Sequence, residues 1–229
     1  MAEGATVVIN DVDPESVSTT VVELAADPSL SGRAVAGPAD ITDDAAVRRL
    51  LDAVGAEHGP VDILVNNAGG AMPGSRWAPV VDTSLQEWND FLLLNLTSAF
   101  LCSRAVLPTM MAAGWGRIVC VNSISAENGQ RAGAGYAAGK AGLVGLVASL
   151  AKEAGASGVA VNGVTIGNAP HPTRTPDRQA LLDGWVHLGR VGRYDEFAAA
   201  IAFLCSDDAS YLSGSFLAVD GGFHRFNQL

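Results

Sequence analysis

The sequence is poor in cysteine, in aromatic residues and in positive charge. Its three cysteines, Cys102, Cys120 and Cys205, are far apart and sit in apolar runs, with no C-x-x-C pair and no metal-ligand spacing. This pattern points to buried, reduced thiols and excludes a disulfide scaffold. The four histidines show no ligand-type pairing, so no metal site is expected. Basic residues number 14 against 24 acidic ones, a net charge of −10, which argues against nucleic acid or an anionic membrane as the main partner. The opening MAEGATVVIN has no basic segment followed by an apolar one, so no secretory leader is read there. The longest apolar run, Ala141–Ala151, is too short to span a bilayer. Internal repeats and low-complexity stretches are missing too. These exclusions leave a soluble, cytoplasmic protein, and its 48% hydrophobic content over 229 residues suits a single domain, residues 1–229, with a large core.

Strand and helix signals alternate along the chain. Ala5–Asn10 is a short β-branched run, and Asp13-Pro14-Glu15 opens a helix reaching about Ala26. Arg33–Ala36 is a weaker strand, followed by a helix that Gly59-Pro60 stops after His58. Val61–Val65 is apolar apart from Asp62 and is read as a strand covered on both faces. A polar segment, Ala71–Thr83, leads into one long helix over Leu85–Ala113. Further strands are expected at Arg117–Val121, Val159–Val164 and Phe216–Val219, with helices at Tyr136–Ala151, Asp177–Val186 and Glu196–Leu204 and a Pro-rich loop at Asn168–Pro176. The alternation specifies a doubly wound, Rossmann-like parallel α/β sheet. The helix Tyr136–Ala151 is apolar or small nearly all round, so it needs cover on two sides, which predicts a homo-oligomer, dimer or tetramer.

The chemistry is concentrated in Gly116–Lys140, GRIVCVNSISAENGQRAGAGYAAGK. Tyr136 and Lys140 are four apart and share a helix face, where a nearby ammonium is expected to lower the phenol pKa from its usual value of about 10. Ser123, at the end of the preceding strand, can set a hydroxyl beside that phenol, with Ser125 as its rival. The set Ser123, Tyr136, Lys140, with the flanking GRIV and KAGLVGL, resembles the Ser…Tyr-x-x-x-Lys signature of the short-chain dehydrogenase/reductase family. The resemblance implies hydride transfer between a nicotinamide cofactor and a secondary alcohol or ketone. Tyr136 would be the acid/base, Ser123 the oxygen anchor, Lys140 the pKa tuner and ribose ligand, and Asn95 the relay through water. It also implies cofactor contacts from Asn67-Ala68-Gly69 and from Asp40 and Ile41, although Asp40 could equally lead into a helix. Asp11, at the end of its strand, is placed to receive a ribose 2′-hydroxyl, favouring NAD over NADP, though a turn aspartate could also stand there. Thr173 is a weak candidate for the nicotinamide amide.

The chain departs from that pattern at its start. The family's first strand and helix and the turn T-G-x-x-x-G-x-G are not found, so an N-terminally truncated version of the fold is expected, with Ala5–Asn10 and Val61–Val65 lacking the strand that should lie between them. This motivates a second reading: a cofactor-independent cyclase, isomerase or dehydratase with the same acid/base group and no dinucleotide. A third is a pseudo-enzyme subunit. Met72, Trp77, Pro170 and Trp185 in the segments flanking the site suggest an apolar carbonyl or alcohol substrate.

Overall fold

The local signals that open and close the helices come from side chains and glycines at their ends. In the computed structural model, which describes residue 1, residues 3–171 and residues 173–223, strand β1 (Thr6–Ile9) is followed by helix α1 (Pro14–Ala26). Asp13 caps α1 by accepting from the Glu15 amide at 3.0 Å, satisfying a donor that the first turn leaves unpaired. Strand β2 (Arg33–Ala36) leads to α2 (Asp44–His58), capped by Asp43 and ended by Gly59 at φ 89°. Strand β3 (Ile63–Asn66) precedes α3 (Leu85–Leu92), whose start is a capping box of Ser84 and Glu87. Then come α4 (Ser98–Ala113), β4 (Gly116–Ser123), the single-turn α5 (Ser125–Asn128), α6 (Ala134–Ala154), β5 (Val159–Ile166), α7 (Pro176–Trp185), α8 (Tyr194–Cys205) and β6 (Phe216–Val219).

All strand pairings are parallel, as the doubly wound reading requires, but they form two ladders. One is β1-β2 and the other β3-β4-β5-β6, and among the described residues no ladder joins β1 to β3. The two strands expected to lack a partner between them therefore do not close on each other. Strand β3 also starts two residues later than expected and is not covered on both faces. Val65 pairs with Val119, so the two side chains share a face of the sheet. Leu204 and Ala209 cover Val119, whereas over β3 that face is open and Ile63 and Val65 are 38% and 39% exposed.

On the other face, Val106 and Met110 of α4 and Leu143 and Val147 of α6 pack on Ile118 and Val161. Burial of each such side chain contributes about 1.5–3 kcal/mol. The helix expected over Leu85–Ala113 is interrupted: Leu93–Thr97 forms a π turn between α3 and α4. Helix α6 crosses this region closely because its facing residues are glycines. A Cβ added at Gly135, Gly139 or Gly142 would come within 2.9 Å of Phe91, 3.0 Å of Asn95 or 2.5 Å of Leu96. Leu85–Ala113 and Ala134–Ser157 are long and apolar enough to cross a membrane, with mean hydropathy 1.5 and 1.3, which corrects the estimate from the longest apolar run. Here both flank the sheet as core helices.

Candidate active site

Strand β4 ends at Ser123, and the chain turns through α5 and a Gly-rich loop into the first turns of α6, which carry Tyr136 and Lys140. This route brings the three side chains together at the carboxyl end of the central strand. The Ser123 hydroxyl lies close enough to the Tyr136 phenol to favour its ionised form. It also accepts from the Ser125 amide at 3.1 Å. The rival hydroxyl, on Ser125, is buried and donates to Gln130 Oε1 at 3.1 Å.

Lys140 is buried, 4% exposed, and its Nζ donates to the Val121 carbonyl at 2.8 Å. It lies 5.9 Å from the centre of the Tyr136 ring. Desolvation penalises the buried ammonium and brings the Lys140 pKa down from 10.5 to about 8. Tyr136 moves opposite to the sequence expectation. Burial raises the phenol pKa, and the Ser123 hydroxyl offsets this only in part. The cause is burial of the phenol, while the Lys140 ammonium is hydrogen-bonded to the Val121 carbonyl. The free side chain is therefore a protonated phenol at neutral pH.

Asn95 sits in the π turn, 2% exposed. Its Oδ1 accepts from the Gly70 amide at 2.9 Å, and its Nδ2 donates to the Gly70 carbonyl at 2.8 Å and to the Phe91 carbonyl at 2.9 Å. Both amide protons are committed to backbone, so Asn95 clamps the turn after β3. That turn, Asn67-Ala68-Gly69, is exposed. A Cβ on Gly69 would stand 2.7 Å from Asn95 Oδ1 and 3.0 Å from Lys140 Nζ. The absence of a side chain there keeps the floor of the site open to a ligand.

The remaining expected cofactor residues lie after β1 and β2. Asp11 is exposed, and its carboxylate accepts from the Asp13 amide at 3.0 Å. The neighbouring Asn10 ties β1 to the chain after β2 through the Gly37 and Ala39 carbonyls, at 2.7 and 3.1 Å. Asp40 accepts from the amide and the hydroxyl of Thr42, at 2.8 and 2.6 Å, in the turn that leads to α2, and Ile41 is half-buried beside it. Thr173 is exposed and engages His171 Nδ1 at 3.0 Å. Pro172 of that loop lies outside the described residues. Sequence reasoning missed the Val121 and Gly70 backbone partners, which carry no signal in residue identity. It also missed an aromatic contact: the Trp77 ring lies 5.4 Å from that of Tyr136, edge to face.

A family model described as enoyl-(acyl carrier protein) reductase matches residues 1–224. The chain is 41% identical over 188 residues to a 3-oxoacyl-[acyl-carrier-protein] reductase of Salmonella typhimurium, covering 81% of this chain and 75% of the relative. The chain belongs to the short-chain dehydrogenase/reductase family. Within that family it is also 40% identical over 223 residues to the cis-4-hydroxycyclohexanecarboxylate dehydrogenase of Sinomonas cyclohexanicum, 96% of this chain and 87% of that one. Among solved structures it resembles the gluconate 5-dehydrogenase of Burkholderia cenocepacia in complex with NADP and tartrate, with TM-score 0.85 and 29% identity, covering 94% of this chain and 84% of that chain.

The family implies a nicotinamide dinucleotide, and the residues present fit its nicotinamide end. A buried ammonium with one bonded proton and two more to give, beside a floor with no Cβ at Gly69, suits a ribose held close to the backbone. A pyrophosphate is held elsewhere in such folds by a Gly-rich turn opening a helix. A turn of that type, T-G-x-x-x-G-x-G, is not found in the sequence.

Proposed function

We propose that this oxidoreductase interconverts a secondary alcohol and its ketone, with Tyr136 exchanging the proton on the substrate oxygen and Ser123 hydrogen-bonding that oxygen. The observation that carries the reading is the Ser123–Tyr136 hydroxyl pair beside the buried Lys140 ammonium. In the reducing direction the protonated phenol supplies the proton that the new alkoxide takes up, and solvent restores it. Lys140 binds the nicotinamide ribose, and its charge stabilises the phenolate left behind. Asn95 keeps the turn after β3 fixed through Gly70. When bound, a nicotinamide dinucleotide supplies or accepts the hydride. NAD is the preferred form, because the Asp11 carboxylate after β1 disfavours a 2′-phosphate. The exposed apolar surfaces of α4 and α6 are covered by a second copy in a cytoplasmic homo-oligomer.

Tyr136→Phe is expected to lower kcat by roughly 10²–10⁴-fold with an unchanged melting temperature. Steady-state reduction of a ketone panel with NADH and NADPH checks this, and full activity in the variant sinks the acid/base role. The lack of a T-G-x-x-x-G-x-G turn in the sequence favours a second reading, an acid/base enzyme working on a carbonyl compound without a dinucleotide. Fluorescence titration separates the two: NADH binding, tighter than NADPH, supports the first, and no binding of either at millimolar concentration supports the second.

A further inference from the structure

We propose that Trp77 is a specificity-determining wall of this site, selecting substrates whose carbon next to the reacting oxygen carries an apolar ring or chain. The inference rests on the acid/base assignment of Tyr136 and adds the substrate class. The indole is enclosed on three sides. Its ring lies 5.1 Å from buried Phe91 and 5.4 Å from Tyr136, and a Cβ added at Gly133 would come within 2.6 Å of it. Trp77 is nevertheless 47% exposed. A group bonded to the carbon whose oxygen meets the Tyr136 hydroxyl extends within a few ångströms of that ring pair.

The wall is held in place from both neighbours along the chain. Arg76 donates to Glu87 Oε1 at 2.8 Å, and Glu87 is itself committed to the cap of α3. Ala78 on the other side is buried, and its carbonyl accepts from the Thr83 hydroxyl at 3.2 Å. The indole is thus presented as a fixed face, and ordering it costs little when a substrate arrives. Its chemistry is apolar. Trp115 and Trp185 each carry an arginine against the ring, at 4.5 and 5.6 Å, whereas among the described residues Trp77 carries none. A cyclohexyl or alkyl group placed there leaves water for an aromatic surface, while a polyhydroxylated chain, as in the gluconate that names one structural neighbour, gives up hydrogen bonds with nothing to replace them.

The experiment compares 4-methylcyclohexanone with dihydroxyacetone as substrates for wild type, Trp77→Phe and Trp77→Ala, with NADH and NADPH. Binding of 4-methylcyclohexanol by the same proteins is followed by ligand-observed NMR. Wild type is expected to prefer the cyclic ketone by at least tenfold in kcat/KM. Trp77→Ala should cut that preference at least tenfold, mainly through KM, and Trp77→Phe by less. A preference unchanged in Trp77→Ala, with turnover intact, overturns the wall while leaving the redox reading standing. No turnover in any protein, but cyclohexanol binding lost in Trp77→Ala and kept in Trp77→Phe, supports the wall and removes the redox reading. Binding that does not depend on Trp77 overturns the wall in either case. Melting curves guard against loss of fold, and the Phe variant keeps an aromatic ring against Phe91.

Discussion

Lys140 shows how one buried residue links stability to the site. Its ammonium is removed from water and receives a single backbone carbonyl in return, which is why its pKa falls to about 8. The sign follows directly. Below pH 8 the lysine is charged in both the folded and the unfolded chain, and the folded state bears the full desolvation cost. Between pH 8 and 10.5 only the unfolded chain stays charged, so the cost fades as pH rises. A shift from 10.5 to about 8 corresponds to about 3 kcal/mol. Lys140→Met is therefore expected to unfold at higher denaturant than wild type at pH 7, with an advantage that shrinks by about 3 kcal/mol by pH 10.5. Paired urea titrations at pH 7, 8, 9 and 10 measure the difference. Comparing the two proteins at each pH cancels the thiols of Cys102 and Cys205, whose pKa values burial raises to about 11. At this scale residue identity conveyed a good deal. The types and spacing of Ser123, Tyr136 and Lys140 were legible because their side chains carry the chemistry. The direction of the Tyr136 shift was not, because it depends on how deeply the folded chain buries the phenol, which residue identity does not convey.

Among elements, α4 and α6 divide their surfaces between the sheet and the outside. Leu143, Val147 and Leu150 face the core, while Val144 is 45% exposed and Gly145 has open space where a Cβ would stand. Phe100 on α4 is 41% exposed. Leu146, although on the apolar helix singled out from the sequence, packs against its own core. A charge at Val144 therefore tests the interface without touching the interior. Val144→Glu is expected to reduce the oligomeric mass seen by light scattering and to leave the far-UV spectrum unchanged, and an unaltered mass counts against the α4/α6 contact. The existence and order of these elements were legible from caps and apolar periodicity, as Asp13 illustrates at the start of α1. The break at Leu93–Thr97 was not, since LLNLT carries no proline or glycine to announce it. It arises from tertiary demands on both sides.

The whole molecule is built on unequal ladders. Strands β4 and β5 pair over eight residues each, buried almost throughout, whereas β1 and β2 pair over four and leave most of their residues partly open. The smaller ladder is tied to the rest through α2, where Asp44 meets Arg104 of α4 and Leu51 packs on the main core. Opening of the β1-β2 unit should therefore need much less free energy than global unfolding. Amide exchange is expected to be at least about a hundredfold faster in β1 and β2 than in β4 and β5, and mass spectrometry of peptic fragments reads the difference. Uniform protection across the six strands would refute it. The doubly wound class was legible because strand and helix periods alternate so regularly. The division into two ladders was foreshadowed only in part, since pairing between strands distant in sequence leaves little local trace.

The π turn has an angular consequence. Phe91, Asn95, Ala99 and Ser103 are all buried along one side of α3 and α4. From 91 to 103 is 12 residues, which in an ideal α-helix overshoots three full turns by about 120°. One residue absorbed in a wider turn brings the overshoot to about 20°. Removing any single residue from Leu93–Thr97 would restore the ordinary period and swing one half of the helix away by about 100°. Either Asn95 would leave Gly70, or Val106 and Met110 would leave the core. The extra residue in that turn keeps the end of the helix that holds Gly70 and the end that packs in the core in phase.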